Sequence, residues 1–160
     1  MSMFDTIYSI VVSGLGRAEF IKLLPDLEMI ETDSYYPWPD CKQRAIAIAE
    51  TNGFILAAGS ILELIGEGLA LEASRNGAAL YLSENPDSGH YCAARFVKRK
   101  TAGRVEVVSW AIVDDSMGMF SEDSGDNDDK HYGTINTHEM LVDFIGANLT
   151  KIEWTHYASR

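Results

Sequence analysis

Three apolar runs, 78–83, 91–98 and 104–113, are separated by two stretches of turn formers, Asn85-Pro86-Asp87-Ser88-Gly89 and Lys100-Thr101-Ala102-Gly103. Runs of this length bounded by such turns predict strands, and their close spacing predicts an antiparallel meander. The rest of the chain must pack on that sheet. Residues 6–12 are rich in β-branched side chains and predict a buried strand, ended by Gly14-Leu15-Gly16. Residues 17–24 carry Phe20, Leu23 and Leu24 at helical spacing and stop at Pro25, and 27–32 predict a further strand. Tyr35-Tyr36-Pro37-Trp38-Pro39 reads as a stiff aromatic loop, because each proline forces its predecessor into extended geometry. Asp40 is a candidate N-cap for a helix over 41–51 that ends at Asn52-Gly53 and holds Cys41 in its first turn.

Ser60-Ile61-Leu62-Glu63 has the form of a capping box, and Leu62, Ile65, Leu69 and Ala73 continue a helical stripe to Asn76-Gly77. Asn136 or Thr137 can cap a helix through 148 with Met140, Leu141, Phe144 and Ile145 on one face, and 151–157 alternate as a closing strand with Ile152, Trp154 and His156 on one side. At 160 residues the chain suits one domain. The expected class is therefore a single α+β domain, residues 1–160, with helices packed on a mainly antiparallel sheet and a flexible acidic loop at 116–133.

Charge narrows the function. The chain has 24 acids against 13 bases, a formal net charge of −11, which disfavours direct binding to nucleic acid or an anionic membrane and leaves a basic protein as a partner. The surplus is local: 114–129 hold seven acids and no base before Lys130. No apolar run approaches 18 residues, and no basic segment precedes 7–12, so a cytoplasmic protein is expected. Two cysteines, Cys41 and Cys92, are too few for a disulfide framework and lack metal-ligand spacing.

Cys41, His90 and Asp114 have the residue types of a nucleophilic triad. A thiol at a helix N-terminus is biased toward thiolate by free amides and the helix dipole, and an imidazolium beside it biases it further. His90 opens a strand at a glycine turn, and Asp114 ends what reads as the neighbouring strand, so adjacent strand ends would set the carboxylate against the imidazole. Gly89-His90-Tyr91-Cys92-Ala93, followed by Trp110 and Asp114-Asp115-Ser116, resembles the histidine box of the ubiquitin-specific proteases, Gly-His-Tyr-x-Ala, then Trp and, four residues on, Asp/Asn-Asp-Ser. Asp40-Cys41-Lys42-Gln43-Arg44-Ala45-Ile46-Ala47 is similar to the cysteine box of the ovarian-tumour proteases, with Trp38-Pro39 where that box has Asp-Gly.

Both boxes belong to papain-like cysteine peptidases. The resemblance implies a papain-like arrangement in which Cys41 attacks an amide carbonyl, His90 relays the proton and Asp114 orients His90. Asp115 would support the oxyanion site or a water, and Trp38 and Tyr35 would line a substrate groove. The implied substrate is a peptide or ubiquitin-like protein, hydrolysis and acyl transfer share the machinery, and no cofactor or metal is required.

Other constellations lack ligand geometry. His131 and His138 form no pair at metal spacing, Glu153 and His156 fall on opposite faces of a strand, and 123–129 lack the residue order of a calcium hand. Gly14-Leu15-Gly16-Arg17-Ala18-Glu19 has glutamate where a dinucleotide fingerprint needs its third glycine. The competing expectation is a non-enzymatic acidic inhibitor or immunity-type protein. Its carboxylates, led by Glu122, Asp123, Asp126, Asp128 and Asp129, would complement the basic groove of a nucleic-acid-handling toxin, nuclease, restriction or CRISPR component. Cys41 and His90 are then structural.

Overall fold

The computed structural model describes residues 6–25, 27–33, 46–118, 137–146 and 152–159. In chain order its elements are β1 (Ile7–Ser13), α1 (Arg17–Ile21), β2 (Leu27–Asp33), β3 (Ile46–Thr51), β4 (Phe54–Ala58) and α2 (Leu62–Ala73). A 3-10 turn (Ser74–Asn76) leads to β5 (Ala78–Asn85), β6 (His90–Val97), β7 (Lys100–Val108), β8 (Ala111–Asp115), α3 (Thr137–Ile145) and β9 (Trp154–Ser159). The nine strands form one sheet in the order β2-β9-β3-β4-β1-β5-β6-β7-β8, and every neighbouring pair is antiparallel.

Strand alternation divides the sheet's side chains between two cores. Ile10, Val12, Ile46, Ile48, Ile55, Ala57, Tyr81, Cys92, Ala94 and Phe96 face α1 and α2, meeting Phe20, Leu62, Leu69 and Ala73. Val11, Ala47, Ala49, Leu56, Leu80, Leu82, Tyr91, Ala93, Val105 and Val107 face the other side, with Leu141 and Ile145 of α3 and Trp154 of β9. Strand β1 lies between β4 and β5 and is buried on both faces, which is why it reads as a near-continuous apolar run. The expected class, helices on an antiparallel sheet, is the class observed, and the helices cover both faces.

Helix α3 is held at its two ends by side chains from the sheet. The Glu84 carboxylate accepts from the Thr137 hydroxyl at 2.7 Å and from its backbone N–H at 3.3 Å, placing an anion at the positive end of the helix. At the other end the Asn52 amide donates to the Ile145 carbonyl at 3.1 Å. Helix α2 instead fits the sheet through a missing side chain. A Cβ built on Gly66 would lie 2.3 Å from the ring of buried Tyr81, whereas one on Gly68 meets nothing within 4 Å. Gly66→Ala is therefore expected to destabilise the protein by about 1–2 kcal/mol, overpacking outweighing helix propensity, while Gly68→Ala stabilises it by up to about 1 kcal/mol. Urea unfolding of the two variants checks the opposite signs.

Four expectations need correction. Residues 46–51 of the expected helix 41–51 form β3, and Asn52-Gly53, with φ of 51° and 79°, is the hairpin turn into β4 rather than a helix C-terminus. Helix α2 begins at Leu62 with Ile61 at the N-cap, one residue inside the anticipated capping box. Most consequentially, the expected strand 104–113 is two strands. Ser109 and Trp110 take φ of 49° and 65°, the chain reverses, and β8 runs back along β7. The preceding turn falls at Lys98 and Arg99, also at positive φ, so Lys100-Thr101-Ala102-Gly103 belongs to β7 rather than to a connection.

Candidate functional site

Two hairpin ends meet around the Gly-His-Tyr word. In the β5–β6 connection the Asn85 side-chain oxygen accepts from the N–H groups of Asp87 at 3.1 Å and Ser88 at 3.3 Å, and Gly89 then takes φ of 68°. The Trp110 N–H donates to the Gly89 carbonyl at 2.9 Å. The Trp110 indole covers the Gly89 Cα so closely that an added Cβ would lie 2.3 Å from the ring. Glycine is thus required twice over, by its dihedral and by its lid. The glycine and tryptophan of the resemblance do lie together, as a packing contact.

His90 is exposed, and its Nδ1 lies 2.9 Å from the Ser88 hydroxyl and 3.3 Å from the Ser88 carbonyl. Asp114 pairs across β7 with Glu106, which pairs in turn with Cys92 on β6. Strand β7 therefore stands between His90 and Asp114. Two inter-strand spacings and two residues of rise separate their backbones by about 10 Å across the sheet and about 7 Å along it. This corrects the expected juxtaposition of imidazole and carboxylate: the reversal at Ser109 and Trp110 puts Asp114 on β8 rather than on the strand beside β6. Asp114 organises a turn instead: its Oδ1 accepts from the Ser116 N–H at 3.1 Å. Asp115 pairs with Val105, and alternation puts it on the opposite face from Asp114. Cys41, Trp38, Tyr35, Glu122, Asp123, Asp126, Asp128 and Asp129 lie outside the described residues.

The face shared by His90, Cys92 and Asp114 holds an ionic cluster that the sequence does not announce. Arg104 donates to Glu67 of α2 at 2.9 Å and to Glu106 of its own strand at 3.1 Å, and the Cys92 thiol lies 3.9 Å from the same Glu67 oxygen. Arg104 and Glu106 are legible in the sequence as an i, i+2 pair on one strand face, but Glu67 is 37 residues away. Glu106 and Asp114, both acidic, are direct cross-strand neighbours, so three carboxylates share this part of the face with one guanidinium. Like charges opposed across a strand pair are destabilising.

Cys92 is 7% exposed, and burial pushes its thiol up to about 12, Glu67 and Glu106 adding to the effect while Arg104 opposes it. It is a protonated core residue at neutral pH and no nucleophile. Its folded value lies above that of the same thiol exposed in the unfolded chain. The associated stability is present below pH 9 and is lost as the pH rises through about 12. Burial also raises the Tyr8 and Tyr81 phenols, which act in the same direction from a higher starting pH. Urea midpoints at pH 8 and 11 should fall more for the wild type than for Cys92→Ala; equal falls would contradict the assignment.

Among the described residues no three His, Cys, Asp or Glu side chains form a metal-binding group, and no helix is long and apolar enough to cross a membrane. Fold and site together define a nine-stranded antiparallel sheet with helices on both faces and an acidic, ion-paired surface at its β7–β8 end. No protein-family model, no curated protein and no solved structure matches the chain.

Proposed function

We propose that this chain is a non-enzymatic acidic binding protein of the inhibitor or immunity type, acting in the cytoplasm on a basic protein that handles nucleic acid. The observation that supports it over a papain-like cysteine hydrolase is the position of β7, which separates His90 from the acid that was to orient it. An unoriented imidazole tied to Ser88 lacks the third group on which nucleophile activation depends. A papain-like arrangement would further need Cys41 brought to His90.

The acids are arranged in a way that fits binding. Glu50, Glu19, Glu72 and Glu67 are each matched by an arginine, Arg17, Arg75, Arg99 and Arg104. The run from 114 to 129 has seven acids and no base, the densest acidic stretch of the sequence. Such a run mimics a nucleic-acid backbone and competes for the cationic groove that holds it. The test is inhibition of DNA cleavage by a panel of purified basic nuclease domains. Inhibition by this chain that weakens steeply as salt rises from about 50 to 300 mM supports the reading. Full cleavage by every nuclease at low salt counts against it.

A further inference from the structure

Strand β8 ends the sheet, and among the described residues it pairs only with β7. Half of its backbone N–H and C=O groups therefore point away from the sheet, a template for one more strand. The strand is short, carries a register shift opposite Glu106 and Val107, and ends in Asp114 and Asp115, features that discourage indiscriminate pairing. They leave an opening for one kind of partner. Val113 is 57% exposed at the middle of this edge, and Asp114 faces Glu106 across the β7–β8 pair, where one guanidinium, Arg104, is shared between Glu106 and Glu67.

We infer that the β8 edge is a docking strand for an extended basic segment of the partner protein, which adds to the sheet and sets a Lys or Arg beside Asp114 and Glu106. The inference rests on the binding reading above and names the mode of contact. Backbone pairing along β8 supplies affinity, Val113 supplies an apolar contact, and a cation beside Asp114 relieves the opposed carboxylates. A second copy of this chain fits the edge poorly, because it brings the same two aspartates and a net charge of −11.

The experiment is an amide NMR and hydrogen-exchange titration of the full chain with the capped peptide Lys-Val-Lys-Val-Lys-Val-Lys. Three comparison peptides are a Glu-for-Lys version, a scrambled version, and one with N-methyl groups on alternate residues of the pairing edge. Exchange at 111–115 should slow by at least about 10-fold with the first peptide only, because N-methylation removes the ladder while keeping the charge. Asp114→Lys should weaken binding by about 10-fold, and Asp114→Asn, which keeps the turn-forming side chain, by less.

Protection that spares 111–115, or that survives N-methylation, overturns edge docking. If the peptide then still binds through 119–136, general recognition of basic partners survives without β8. If it binds nowhere, both readings fail. Protection of 111–115 that grows with protein concentration in the absence of peptide assigns the edge to self-association and also overturns the inference.

Discussion

Gly89→Ala is expected to lower stability by about 2–5 kcal/mol, while His90→Ala changes it by no more than about 0.5 kcal/mol. Gly89 sits at φ of 68°, where an L-residue costs about 1–2 kcal/mol. Its Cβ would also have to enter the Trp110 ring, 2.3 Å away, and overpacking of this kind adds about 1–3 kcal/mol. The indole cannot simply withdraw, because the Trp110 backbone is bonded to Gly89 and lies in the turn that reverses β7 into β8. His90, by contrast, is exposed, and its ring is bonded to Ser88, two residues before it. Thermal or urea unfolding of the two variants separates a packing role for Gly-His-Tyr from a catalytic one. In an active site, His90→Ala would abolish activity at unchanged stability.

The second large effect is expected in binding. Neutralising Glu122, Asp123, Asp126, Asp128 and Asp129 together, as Gln and Asn, should weaken inhibition of a susceptible basic nuclease by about 100-fold or more at low salt, since buried or close charge pairs at such interfaces each contribute more than about 1 kcal/mol. Cys41→Ser and His90→Ala should leave it unchanged. The loss should shrink as salt rises, because screening removes from the wild type what substitution removes from the variant. A nuclease assay run with all three variants reads the contrast, and loss of inhibition with Cys41→Ser alone would reverse it.

Much of the fold was legible because its signals are local. The β-branched run of β1, the stripe of Leu62, Leu69 and Ala73 in α2, and the turn formers of 85–89 each specify structure within a few residues. The errors have equally local causes. Ile46-Ala47-Ile48-Ala49 alternates with period two, but alanine is a strong helix former and the preceding Asp40 looked like a cap. Asn52-Gly53 serves as a helix stop or as a hairpin turn, and only the period before it decides. Val108-Ser109-Trp110-Ala111 contains no Gly, Asn or Pro, so nothing in its composition announces a reversal at positive φ. That turn depends on Gly89, twenty-one residues before Trp110, accepting the Trp110 N–H and ring.

The candidate site inherited this last error. With 104–113 read as one strand, His90 at the start of one strand and Asp114 at the end of the next were expected as neighbours. With the turn in place an entire strand intervenes, and the words that resemble a protease box become the ends of two hairpins. The Glu67–Arg104–Glu106 cluster was hidden for a different reason, since it joins a helix to a sheet and no spacing along the chain encodes that contact.

The most direct measurement is the rate of Cys41 alkylation by iodoacetamide against pH in a Cys92→Ser background, with and without His90→Ala. Superimposable profiles, titrating near the free-cysteine value of about 8.5, are expected if His90 activates no thiol. A thiolate formed well below that value in the presence of His90, and lost without it, would contradict the binding-protein assignment and restore the cysteine hydrolase.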